Sequence, residues 1–588
     1  MCRVWFFACL CALSAFAQSE GILATIAGST GLNAAPARGF AGDDGPARKA
    51  QFSFANQQND CDPAQYDQIS HVAVDAAGNL YITDSANQRV RRVSTAGVIT
   101  TIAGNGEKPP VDPRTCIPTG GPILGDGGPA TAARLHYPAG IAIDAGGAIV
   151  FADQQNNRIR RITPQGVITT IAGNGLHALY APQVPALNSG LDWPTAIAID
   201  SAGVVYFSEI HSGRVARIGA DGRLATVAGT GIPGYNGDSG QATSIRLSTP
   251  TGLALDAAGN LYIADQGNNR VRKVTPGGTL TTIDAPFNRP ADVKVDARGN
   301  LYVSDMLNHR VRRIDPSGAI TTVAGDGVPV RGPDGVAATT SSLNLPTGLA
   351  IDAKGDVLVV DWGNCLLRRI TFSGAPVIRT SAIVNGASFT APLAPGALFS
   401  IFGANLSDAT VTVNGTTAPV IFSSPSQLNA QVPYSAATGD AGVEVSATLG
   451  RSPAEFVPVA DAAIGVFTFA PSRRAIVLNQ DNSINAPDAA EARGRVLTVF
   501  LTGIGNVNPP LASGEPAPFS TLHRANATAT ATLGGMDAQV LFLGLTPGFI
   551  GLAQANVLIP DAAPLGAEVP LLFRSGGQTS NATVVSIR

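Results

Sequence analysis

The chain has 588 residues, too many for one hydrophobic core, so roughly two to four domains are expected. It is 45% hydrophobic and 14% charged, with 66 Gly and 41 Pro, a mixture that favours short strands and tight turns over long charged helices. A formal net charge of -3 excludes an electrostatic case for nucleic acid, and no polybasic patch offers itself to an anionic membrane.

Residues 1–17 read as a secretory signal. Arg3 supplies the positive end, Val4 to Ala12 is apolar, and Ala15-Phe16-Ala17 fits the small-x-small cleavage rule. The expected mature chain begins near Gln18 and is secreted, periplasmic or on the cell surface. A lipoprotein anchored at Cys9 is the weaker reading, because Phe6-Phe7-Ala8 lacks the small residues such a site needs. No later apolar run is long enough to span a bilayer, so no transmembrane segment is expected. Cys2, Cys9 and Cys11 leave with the signal, and Cys61, Cys116 and Cys365 remain. One disulfide and one buried thiol are expected in an oxidising compartment, with Cys61–Cys116 preferred and Cys61–Cys365 the alternative.

An internal repeat follows. The first aspartate of each copy falls at Asp75, Asp144, Asp200, Asp256, Asp296 and Asp352, at spacings of 69, 56, 56, 40 and 56 residues. The shortest spacing is the bare unit, and the excess always follows a TTIAG-like segment. Within a unit, Gly-Ile-Ala-Ile-Asp, Leu-Tyr-Ile-Ala-Asp, Arg-Val-Arg-Arg-Val and Val-Ile-Thr-Thr-Ile alternate with period two, and Gly, Asn or Pro fills the gaps. Four antiparallel strands in about 40 residues predict a propeller blade. The sixth copy, from Pro346 to Gly374, lacks a clear fourth strand. Residues 22–27 offer one, and ring closure by that segment removes two exposed strand edges. Pro376 to Thr380 is the competing candidate.

The Pro-x-Gly-Ile-Ala-Ile-Asp entry and the Tyr-Ile-Ala-Asp-x-x-Asn-Arg-Val-Arg-Arg hairpin, recurring over residues 21–374, resemble the NHL-repeat family. The segments Gly125 to Thr131 and Gly237 to Thr243 resemble the inter-blade loops of secreted bacterial members. Leu366 and Glu209 depart from the pattern, replacing an arginine and an aspartate. The expected fold is all-β: a six-bladed propeller over residues 18–375, followed by two immunoglobulin-like β-sandwich modules over 376–460 and 461–588. The second part rests on a duplication in which Ala409 to Phe422 aligns with Ala529 to Phe542. The stretch Ile383 to Asn405 resembles an uncharacterised C-terminal domain common in secreted proteins of soil bacteria.

The aspartates Asp84, Asp153, Asp265, Asp305 and Asp361 recur with an arginine five residues later in most copies, so turn hydrogen bonds and pairing with a neighbouring arginine outweigh a catalytic role. Loops after the fourth strand share a face with the turns between strands two and three. His136, His177, Trp193 and Tyr235 map to the first kind of loop or its exit, His211, His309 and Trp362 to the second. His71 stands at the channel mouth. Together with Glu209 these residues are the ligand-face candidates, and the expected ligand is a protein, peptide or cell-envelope component. A scaffold without a discrete ligand is the second reading. A metal-assisted lyase or lactonase is the third, since the resemblance includes six-bladed peptide-amidating lyases, lactonases and streptogramin lyases. Its metal, if present, would take His71, Glu209 and His211. No catalytic residue and no cofactor are otherwise indicated, because nucleophile-elbow, His-Glu-x-x-His, phosphate-loop and EF-hand patterns are absent from the sequence.

Overall fold

The computed structural model describes residues 21–29, 39–54, 69–109, 124–179, 184–372, 374–469 and 472–588. The signal over 1–17, and Cys61, Cys116 and their pairing, lie outside the described residues. Cys365 is buried in the turn of blade six.

Six antiparallel sheets of four or five strands form the blades. In blade two, Pro138–Ile143, Ile149–Asp153, Arg158–Ile162 and Ile168–Ala172 pair in chain order, from the inside outwards. The innermost strands, Val72–Val74, Pro138–Ile143, Pro194–Ile199, Pro250–Leu255, Pro290–Val295 and Pro346–Ile351, each touch the next, and the last touches the first. Blade six is completed by the start of the chain. Ile22–Ala27 pairs antiparallel with Leu366–Thr371, Ile22 opposite Thr371 and Ala24 opposite Arg369. Leu23 and Ala27 are 0% exposed, so this strand belongs to the core. Val377–Asn385, the competing segment, pairs instead with Leu398–Ala404 of the first sandwich.

The excess residues between copies have a place too. Each insert crosses from one blade to the outer edge of the next. Gly45–Pro46 pairs with Val98–Ala103, Ser239–Gln241 with Thr279–Ile283, and Val336–Ala337 with Ile22–Ala27, while Pro129 and Pro185 make single bridges to Val167 and Arg223. The inserts therefore cover edges that would otherwise invite a foreign strand. Blade five follows the shortest spacing and receives no insert strand; its sheet stops at Ile320–Ala324.

Close to the axis, the third residue of each copy's inner stretch reads His71, Gly140, Ala196, Gly252, Asp292, Gly348. Every second one is glycine. A Cβ on Gly348 would lie 2.4 Å from the Cα of His71, and one on Gly252 would lie 2.5 Å from that of Asp292. Six strands converging on one axis leave room for a side chain only where both neighbours lack one.

After the ring, two further pairs of sheets follow. Val377–Asn385, Leu398–Ala404, Gln427–Gln431 and Val420–Ser423 form one sheet, facing another built on Thr410–Val413 and Gly439–Ala447 over a core that includes Phe399, Ile401, Val411 and Val443. The duplicated segment reappears as matching strands, Thr410–Val413 with Thr416–Ala418 and Thr530–Leu533 with Met536–Ala538. The first sandwich docks near the turn between the outer strands of blade one, where Phe456 approaches Gly97. Lys49 meets Asp440 at 2.6 Å, and Arg48 pairs with Glu455 in a buried contact whose desolvation lowers the arginine to about 10.

Candidate functional site

The blade turn after strand two shows which face the inserts occupy. These turns bond to the preceding insert: Asn87 Nδ2 donates to Gly39 O at 2.6 Å, Asn268 Nδ2 to Gly234 O at 2.9 Å and Asn364 Nδ2 to Val330 O at 3.3 Å. The inserts thus bond to these turns, and along the outer edge their Ala47, Ala130, Ala186 and Ala242 N–H groups also reach Gly97, Gly166, Gly222 and Gly278 in the turns between strands three and four.

Five blades hold this face by the same chemistry. Asp84, Asp153, Asp265, Asp305 and Asp361, each 0% exposed, end the second strand. Each accepts a backbone N–H from the incoming chain, donated by Ser53, His136, Ser248, Asn288 and Asn344 at 2.7–2.9 Å. Each also pairs with an arginine seven positions on: Arg91, Arg160, Arg272, Arg312 or Arg368, at 2.8–3.4 Å. The arginines five positions on behave differently. Arg89, Arg158, Arg270 and Arg310 donate to the carbonyls of Asn87, Asn156, Asn268 and Asn308. A second clip joins successive blades. Gln88, Asn157, Asn269 and His309 all have left-handed backbone, and their side chains accept the N–H of Tyr137, Trp193, Arg289 and Leu345 respectively.

Most sequence candidates belong to this framework. His309 is a clip residue whose Nδ1 accepts the Leu345 N–H at 3.2 Å, so its proton sits on Nε2. His136 is 5% exposed, and burial, reinforced by the Lys108 charge, lowers its imidazole to about 3. Trp362 is 7% exposed and donates its indole N–H to Phe54 O at 3.2 Å. His71 lies near the axis, with Nε2 3.9 Å from Asp292, and burial lowers its pKa. Asp292 is held by Lys294 at 2.8 Å and by the Leu349 N–H at 2.8 Å. Tyr235 is exposed on its insert, its hydroxyl donating to Asp238 at 2.8 Å.

Blade three departs from the rule. Ala216 stands where the paired arginine should be, Ser212 replaces the turn asparagine, and the left-handed position is Gly213. Glu209 compensates. Its longer side chain reaches Arg214 instead, at 2.7 and 3.0 Å, while its other oxygen keeps the backbone contact to Asp192 at 2.9 Å. Burial raises the Glu209 carboxyl, and the Arg214 charge opposes that.

Next to this altered turn, His211, His177 and Asp192 converge. Their ligand-capable atoms all lie within 4.8 Å of one another. His211 Nδ1 is 3.4 Å from His177 Nε2 and 3.8 Å from Asp192 Oδ1, and His177 Nε2 touches the same carboxylate oxygen. That hydrogen bond raises the His177 imidazole above its ordinary value. Trp193 stacks on His211 with centroids 4.3 Å apart and planes inclined by 26°. Of the metal set expected from the sequence, His211 alone is in this cluster. Glu209 is committed to Arg214 and to the Asp192 backbone, and His71 to the surroundings of Asp292. Asp192 was not singled out by sequence. Its signal was its place two residues before the inner-strand proline, where other copies carry His136, Ser248, Asn288 and Asn344.

Residues 99–234 and 185–275 match the family described as the Teneurin NHL domain, and residues 382–456 match the IPT/TIG domain. Teneurin-m of Drosophila melanogaster is 29% identical over 230 residues, 36% of this chain and 8% of the relative. Human Teneurin-4 is 29% identical over 275 residues, 33% of this chain and 10% of the relative. The chain thus spans about a tenth or less of these relatives' length. Among solved structures, an auxiliary nutrient binding protein from Bacteroides thetaiotaomicron has a TM-score of 0.41 and 14% identity, over 60% of this chain and 76% of that one. A gluconolactonase from Xanthomonas campestris has a TM-score of 0.35 and 16% identity, over 52% and 86%. A virginiamycin B lyase from Staphylococcus aureus has 0.32 and 16%, over 62% and 96%.

The closed ring of six sheets is a β-propeller, and immunoglobulin-like sandwich sheets follow it. Over residues 99–275 its repeats match NHL repeats of the teneurin type, and the first sandwich matches the IPT/TIG domain.

Proposed function

We propose that the chain is an exported binding protein whose loop-rich propeller face docks a protein, peptide or cell-envelope ligand, with the sandwich sheets as spacer. The observation that carries this reading is the distribution of exposed apolar side chains. Leu176, Leu179 and Leu187 stand 50%, 55% and 55% exposed on the insert between blades two and three. Ile232 stands 57% exposed on the next insert, and Val328 and Val330 stand 48% and 50% exposed on the insert between blades five and six. Exposed apolar groups among polar loops are a usual mark of a docking surface; the sandwich sheets carry others, Phe389, Leu449 and Phe519 among them. The first sandwich meets the ring at the Gly97 turn and at Arg48 and Lys49 of the first insert, away from the inserts that carry these leucines.

A photoreactive amino acid placed at Leu179 is expected to cross-link envelope or surface components of the producing cells. The same group at Ala202, on the opposite side of blade three, is expected to yield none of them. Identical products from both positions, or none from either, would contradict the reading. The second reading, a metal-assisted lyase or lactonase, is favoured only by the cluster of His177, Asp192 and His211.

A further inference from the structure

We propose that His177, Asp192 and His211 bind one zinc-class divalent ion on the insert face of blade three. The argument starts from ligand chemistry. Two imidazole nitrogens and one carboxylate oxygen suit zinc and its neighbours among the transition metals, whereas calcium and magnesium call for sets made of oxygen. Geometry agrees. A tetrahedral site with metal–nitrogen bonds of about 2.0–2.1 Å places neighbouring ligand atoms about 3.3 Å apart. His211 Nδ1 and His177 Nε2 are 3.4 Å apart, and Asp192 Oδ1 is 3.8 Å from His211 Nδ1. The third pair, His177 Nε2 and Asp192 Oδ1, is in hydrogen-bond contact, so the ion takes the place of that hydrogen bond as the two side chains part, and three protein ligands leave a fourth position open.

The surroundings hold these ligands in place. Trp193 stacks on the His211 ring, while the His177 ring meets that of His211 edge-on, at 66° with centroids 5.5 Å apart. The backbone N–H of Asp192 is fixed by Glu209, which is fixed in turn by Arg214. Glu209 is a positioning residue in this scheme. Outer contacts of this kind orient metal ligands.

The repeat supplies the independent observation. In five blades the residues around this turn serve the aspartate–arginine framework, and the position of His211 is Ala86, Gln155, Gly267, Leu307 or Gly363. Blade three alone gives up the turn asparagine and the paired arginine, keeps the strand end by a different pair, and sets an imidazole on the turn. His177 arrives on the insert that precedes the same blade. Nothing in the packing of the other blades requires these substitutions.

The test is a titration of the full chain, prepared without a histidine tag, with Zn²⁺ alone and with Co²⁺ as a visible-absorption probe. The expected result is saturation at one equivalent, with the intense cobalt bands of a four-coordinate site. His177→Ala and His211→Ala should each weaken binding about 100-fold or more, and Asp192→Asn about tenfold, with melting of the metal-free variants unchanged. Absence of saturable binding, or one-equivalent binding that survives both histidine substitutions, would overturn the proposal. Because the titration uses the metal alone, its failure leaves the docking reading intact. Absent cross-links from Leu179 would remove the docking reading and leave this one.

Discussion

Replacing Asp153 by alanine is expected to destabilise the propeller by about 3–5 kcal/mol, the cost of leaving a buried charge without its partner. Arg160 and Asp153 are both 0% exposed and 3.0 Å apart, so the guanidinium cannot turn to water when the carboxylate goes. The same carboxylate accepts the His136 N–H at 2.8 Å, which would be orphaned, and an Asn156 amide at 2.8 Å, which would keep only the Arg134 carbonyl at 3.2 Å. Arg160 keeps Asp126 at 2.8 Å and the Leu124 carbonyl at 3.4 Å, which sets the effect towards the lower end of the range. Arg312 of blade five is 24% exposed, so Asp305→Ala should cost visibly less. Urea denaturation measures both. A loss under about 1 kcal/mol for Asp153→Ala would mean that the pair does not hold the blade. The double change Asp153→Leu with Arg160→Met should recover much of the loss, because a buried ion pair is costly to break yet gains little over apolar packing.

Deleting residues 21–29 is expected to abolish the single cooperative unfolding transition of the propeller. Leu23, Ala24, Ile26 and Ala27 are 0%, 2%, 7% and 0% exposed. Leucine and isoleucine contribute about 1.5–3 kcal/mol each when buried. The deletion also bares the edge of Leu366–Thr371 and takes the partner from Val336–Ala337. Thr25 would be lost as well, and its N–H and hydroxyl both reach Asp334, at 2.9 and 3.0 Å. A long exposed strand edge recruits other chains, so the truncated protein should self-associate on size-exclusion chromatography. A peptide of residues 21–29 added in trans should restore both the transition and the elution of the intact chain. A truncated chain that melts like the intact one would show that the ring does not depend on this strand.

The blades were legible because they repeat. Period-two alternation, turn residues and the missing strand of the last copy are all local signals, and closure follows from matching residues 22–27 to the vacancy. The departure of Glu209 was equally visible, but its meaning required Ala216 and Arg214 to be read with it. Alternation could not choose between the arginines five and seven positions on, since both project from the same side of the third strand. Arg89 even stands opposite Asp84 in register, yet its guanidinium caps carbonyl oxygens and Arg91 takes the carboxylate. The histidines misled for a related reason. His136 lies where the incoming chain gives its backbone N–H to Asp153, and His309 where a left-handed acceptor joins two blades, and neither need calls for histidine. The meeting of His177 with His211 was hidden because an insert's return path is set by edge pairing between blades.

Hydrogen exchange at residues 22–27 of the intact chain tests the ring most directly. Backbone amides of an internal strand in a closed sheet exchange only through large-scale opening. Ile22–Ala27 should therefore be protected to the same degree as Leu366–Thr371. Exchange of 22–27 at the rate of an unstructured peptide, with Leu366–Thr371 still protected, would contradict closure by the start of the chain.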